Sequence, residues 1–153
     1  KETHKNASLC MVGPDKDGSL GESNDLAKQL GVAESLTFTG VLPKAQWHQM
    51  SGNYDIFINT TNIDNMPVSI IEAMALGLPI VSTNAGGLPY LIENGVDGIL
   101  IPVKEERKMT EAIIGLLNNP SKAAELSINA REKAEKFDES WVKTQWVKLL
   151  ENV

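Results

Sequence analysis

Short apolar runs alternate with amphipathic stretches as far as residue 103, and from residue 104 onward the pattern is helical throughout. "ASLCMVG" (7–13), "SLTFTG" (35–40), "YDIFINTT" (54–61), "LPIVST" (78–83) and "DGILIPV" (97–103) read as strands. Each is a brief apolar or β-branched run between glycine, proline or polar turn residues. "PDKDGSLG" (14–21) reads as a loop, and "ESNDLAKQLG" predicts a helix stopped by Gly31. "PKAQWHQMSG" is a short helix begun by Pro43, and the span from Pro67 to Leu76 is a helix ended by Gly77. The turn "NAGG" (84–87) and a short helix in "LPYLIENG" (88–95) lead to the fifth strand. "EERKMTEAIIGLLNN", "PSKAAELSINAREKAEKF" and "DESWVKTQWVKLLENV" form a helical tail.

Continuous apolar strands separated by helices imply a parallel sheet covered on both faces. The expected fold is a doubly wound, Rossmann-like α/β unit with a helical C-terminal tail. No repeat, linker or low-complexity segment marks an internal boundary, so residues 1–153 are expected to form one domain. With 153 residues, 42% hydrophobic and 22% charged, the chain suits one hydrophobic core. A net charge of -6 speaks against a general nucleic-acid surface, which needs a basic patch. Cys10 is the only cysteine, which excludes an intrachain disulfide and a Cys-cluster zinc site. No apolar stretch reaches the roughly 18 residues of a membrane span and no basic segment opens the chain, so a cytoplasmic location is expected.

Ligands of such sheets bind outside the carboxyl ends of the strands. The residues there are Gly13 and Pro14, Gly40 and Val41, Thr60 to Asn65, and Asn84 to Gly87. Glycine in three of these four loops permits close backbone approach, which suits a phosphate or sugar and also suits an ordinary turn. The helix that starts near Pro67 carries a stronger signal. Its first amides, those of Val68 and Ser69, have no carbonyl partner within the helix and attract an anion such as a diphosphate. Glu72 is the only charged residue between Asp64 and Glu93. It follows Val68 by four positions and Ser69 by three, which puts it on their side of the helix about one turn, or roughly 5 Å, behind the anion position. Ribose hydroxyls attached to that diphosphate come within its reach. Asp64 or Asn65 caps the helix, or Asp64 accepts from the hydroxyls of a bound sugar; both hold if Asn65 caps and Asp64 points into the cleft.

These residues resemble a known family. "DNMPVSIIEAMALGLPIVSTNAGGLPYLIENGVDGILIP", preceded by "SLCMVGPDKDG", "LTFTGVLPKAQWHQM" and "YDIFINTT", is similar to the donor-binding domain of retaining GT-B glycosyltransferases of group 1, family 4 type. The family's hallmark is a pair of glutamates separated by seven residues; here Asp64 replaces the first and Glu72 is the second. The resemblance implies that Glu72 binds the ribose, and that Asp64, Asn65 and Met66 contact the donor sugar. It also implies that the amides of Val68 and Ser69 hold the diphosphate, and that Gly40 and Val41 lie near the base. Gly13 is carried over from a glycine-rich turn that reads "GPDKDG" here. The family domain normally opens with another strand, a basic glycine-rich loop and a helix, and is preceded by an acceptor-binding domain. By that measure the chain is a fragment whose partners are a nucleoside diphosphate sugar and the missing N-terminal acceptor domain. The absent strand normally lies centrally, so unpaired edges or a gap in the sheet are expected, and with them self-association through strand pairing.

No cofactor or metal is expected, since no His, Cys or Asp cluster has ligand spacing. Two other functions share these motifs: a GT-B sugar-nucleotide epimerase, and a non-catalytic nucleotide-binding or assembly module. A nicotinamide oxidoreductase fits poorly, because no G-x-G-x-x-G follows a strand.

Overall fold

A computed structural model describes residues 4–151 and divides the chain into two compact units, Lys1–Met50 and Ser51–Val153. In the first unit, β1 (Leu9–Val12) and β2 (Leu36–Gly40) pair in parallel, joined through α1 (Ser19–Gln29). The helix α1 starts inside the segment expected to be loop. Gly18 adopts φ 81°, the Asp15 carboxylate accepts from its N–H at 2.9 Å, and the Asp17 carboxylate accepts from Ser19 N–H at 3.1 Å. These local bonds turn the chain into the helix earlier than its apolar pattern begins. Lys44–Ser51 forms α2.

In the second unit β3 (Phe57–Asn59), β4 (Ile80–Thr83) and β5 (Ile99–Ile101) form a parallel ladder in the order β3-β4-β5. Every residue of the central strand β4 is buried, as a strand covered on both faces must be. α3 (Val68–Ala75) and α4 (Leu88–Leu91) lie in the crossovers, and α5 (Glu106–Leu117), α6 (Pro120–Ala134) and α7 (Glu139–Glu151) follow. Val81, Ile101, Leu116 and Leu126 form a core that joins β4 and β5 to α5 and α6, and α3 packs on α6. An ion pair between the half-buried Lys133 and the buried Asp97, and a 2.8 Å bond from Glu93 N–H to Asp97 Oδ1, fix the turn before β5.

The α/β class, the parallel pairing and the helical tail agree with the sequence pattern. The strands, however, pair as two ladders, one of two strands and one of three. Among the described residues β1 pairs with β2 alone, and Leu9, Met11 and Val12 remain more than 40% exposed.

Candidate functional site

The carboxyl ends of β3 and β4 open into the loops 60–67 and 84–87, which carry the candidate residues of the second unit. Pro67 was expected inside the first helical turn. It instead precedes the helix, with φ -67° and an extended ψ of 120°. Proline fixes φ but leaves ψ open, so the same residue can stand just outside a helix as readily as at its first position. Helix α3 therefore begins at Val68. Ile70 N–H donates back to Pro67 O at 3.1 Å, while the amides of Val68 and Ser69 stand at the helix start, where no preceding helical carbonyl exists. The other end closes with two bonds, Gly77 N–H to Met74 O at 3.0 Å and Leu78 N–H to Ala73 O at 3.0 Å, with Gly77 at φ 79°. Ser127 Oγ of α6 donates to Gly77 O at 2.6 Å and ties that end down.

Ile70, Ala73 and Met74 form the buried face of α3. At 100° per residue Glu72 lies on the opposite side, in line with Val68 and Ala75, both exposed. An acidic side chain in an apolar helix is thereby accounted for. The helix is apolar on both sides, and the carboxylate is half-buried on the side that leaves the core. Val68, one turn earlier on the same side, is 63% exposed, and Met66, in the loop before the helix, is 49% exposed.

Neither Asp64 nor Asn65 caps α3, since the helix start carries no side-chain cap bond. Asp64 Oδ1 accepts instead from the Asn65 N–H at 2.8 Å, and the main-chain oxygen of Asp64 accepts from Gly87 N–H at 2.8 Å. The buried hydroxyl of Thr83 donates to Thr61 O, and Asn59 Nδ2 donates to Ser82 Oγ at 3.0 Å. The 84–87 loop thus braces the 61–65 loop. Sequence reasoning placed "NAGG" among the ligand-facing loops and missed this bracing. The only signal was the glycine pair itself.

In the first unit, Gly13 and Gly40 meet directly. Gly13 N–H donates to Gly40 O at 2.9 Å, with φ at 149° and 66° respectively. Val41, which follows, is 73% exposed. The loop after β1 also lines a shallow surface depression with Met11, Pro14, Ser19 and Phe38. The structure therefore gathers Gly13, Gly40 and Val41 in one unit and Asp64, Asn65, Met66, Val68, Ser69 and Glu72 in the other. Among the described residues no helix is long and apolar enough to cross a membrane.

In Rossmann-like α/β folds a helix start at the carboxyl ends of the strands presents main-chain amides of the kind that accept anions. The family model of glycosyl transferases group 1 matches residues 1–133, and the chain belongs to that family. D-inositol 3-phosphate glycosyltransferase of Thermobispora bispora is 27% identical over 133 residues, covering 84% of this chain and 30% of that protein. The putative colanic acid biosynthesis glycosyltransferase WcaL of Salmonella typhimurium is 27% identical over 136 residues, covering 84% and 34%. The crystal structure of Anabaena Alr3699/HepE in complex with UDP matches with a TM-score of 0.87 at 25% identity, over 96% of this chain and 41% of that one. The chain spans about a third of the length of the curated relatives it matches.

Proposed function

We propose that this chain is the donor-binding half of a retaining glycosyltransferase, which moves a sugar from a nucleoside diphosphate to an acceptor held by the rest of the protein. The observation that carries the reading is α3, with the amides of Val68 and Ser69 at its start and Glu72 one turn behind on the outward side. The amides and helix dipole receive the diphosphate, and Glu72 accepts from the ribose hydroxyls. Asp64, with the main chain of Asn65 and Met66, meets the donor sugar. As the sugar–phosphate bond breaks, negative charge grows on the leaving diphosphate and the sugar becomes oxocarbenium-like. Fixed helix amides stabilise the first of these without reorganising. Crystallised with UDP, the HepE protein supports a nucleotide at this fold. In the first unit, taken by itself, the half-buried Gly13 and Gly40 and the exposed Val41 form a loop pair that a ligand group can approach closely.

Titration of the full-length protein with UDP, GDP and ADP tests the reading, and failure to bind any of them contradicts it. Donor consumption with and without acceptor separates transfer from epimerisation. The 153-residue chain alone is expected to turn over no donor, because acceptor binding belongs to the rest of the protein; robust turnover by the isolated chain would overturn that division. The open edge of the β1–β2 ladder makes self-association through strand pairing part of the same proposal, read by light scattering.

A further inference from the structure

We propose that Gly86 and Gly87 are positioning residues that fix the Asp64–Asn65 main chain where it meets the donor sugar; the sugar contact itself rests on the function proposed above. A Cβ on Gly86 would stand 2.1 Å from Asp64 O, and one on Gly87 2.1 Å from Asn65 O. No side chain fits at either place. Gly86, at φ 53°, needs glycine for its backbone as well. Gly87 has φ -84° and ψ -3°, which any residue adopts, so space alone demands glycine there. The same contact carries the Gly87 N–H bond to Asp64 O at 2.8 Å, and the Thr83 hydroxyl holds Thr61 O three residues earlier. With Asp64 Oδ1 bound to Asn65 N–H at 2.8 Å, the segment is held at Thr61, Asp64 and Asn65. None of these contacts involves Val68, Ser69 or Glu72. Loosening the brace should therefore disturb the sugar end of the site and spare the diphosphate end.

Gly87→Ala in the full-length protein tests this, with Gly95→Ala as the control. Gly95 has φ 82° and nothing within 4 Å of an added Cβ, so its variant carries backbone strain without a clash. Calorimetry with UDP, turnover of UDP-glucose and amide hydrogen exchange over residues 61–66 are the readouts. In Gly87→Ala, turnover should fall about tenfold or more while UDP affinity stays within about twofold, because a small misplacement of a contacting group acts on the reaction step. Exchange at 61–66 should quicken, and Gly95→Ala should change none of the three. Unchanged turnover, or parallel loss of UDP affinity and turnover, overturns the proposal. If Gly87→Ala does not fold, Thr83→Val removes the Thr61 tie without added bulk. It should lower turnover about threefold at constant UDP affinity, and an unaltered rate overturns the proposal. If the wild-type protein binds neither UDP nor UDP-glucose, the same readouts are taken with whichever of GDP or ADP and its glucose conjugate it binds; if it binds none of the three nucleotides, the donor reading falls, and exchange decides the brace by itself: faster exchange in Gly87→Ala supports it and unchanged exchange overturns it.

Discussion

Two glycine pairs occupy strand-end loops, and they are glycine for different reasons. Gly13 and Gly40 both have positive φ, yet a Cβ on either would meet nothing within 4 Å. Gly86 and Gly87 are pressed against the main-chain oxygens of Asp64 and Asn65. The first pair answers to dihedral angle and the second to space. A loop of the first kind tolerates a side chain at the cost of strain, whereas one of the second kind must move its neighbour.

The sharpest way to break this contrast is Gly86→Ala. It combines a left-handed backbone with a main-chain clash, and together strain and overpacking should cost about 3 kcal/mol or more in equilibrium denaturation. A loss no larger than that of Gly40→Ala would erase the distinction. Gly40→Ala should cost about 1 to 2 kcal/mol, the penalty of the backbone angle alone. Outside both loops the effects should shrink. Asn119 accepts from Lys122 N–H at 3.1 Å and caps α6, so Asn119→Ala should cost about 1 kcal/mol in the same assay and leave exchange at 61–66 unchanged.

The smallest effect is expected at Asp138, which precedes α7 and accepts from Ser140 N–H at 2.9 Å. The Ser140 hydroxyl, and next its N–H, hold the Asp138 carboxyl below its ordinary value of 3.8. With the folded pKa lowered, the stabilisation is present above 3.8 and is lost as pH falls through the lower folded value. Trp141 fluorescence should report loosening of α7 only in that acid window, and Asp138→Asn should blunt the pH dependence.

Much of the fold was legible because strand and helix periods are local. The five runs read as strands contain the five strands, and Gly31 and Gly77 stand just past the ends of α1 and α3. At the site, the position of Val68 and Ser69 at the helix start and of Glu72 one turn behind followed from spacing alone. What was not legible depends on neighbours distant in sequence. Which strands pair is a tertiary outcome: β1–β2 and β3–β4–β5 form separate ladders, a division the local apolar pattern does not announce. Asp64 lies close enough to α3 to read as a cap, but its oxygens turn to Asn65 and Gly87. "NAGG" announces a turn, yet nothing local says that Asp64 and Asn65 press against it.

The central claim is that the start of α3 and Glu72 together bind a nucleoside diphosphate. Calorimetric titration of the full-length protein and of Glu72→Gln with the nucleoside diphosphate that binds best tests it most directly. A lost charge-assisted bond to ribose should weaken binding by about 1.5 to 3 kcal/mol, roughly ten- to a hundredfold, with the melting temperature unchanged. Equal affinity in the two proteins, or weaker binding accompanied by a lowered melting temperature, would make Glu72 a structural acid and contradict the account.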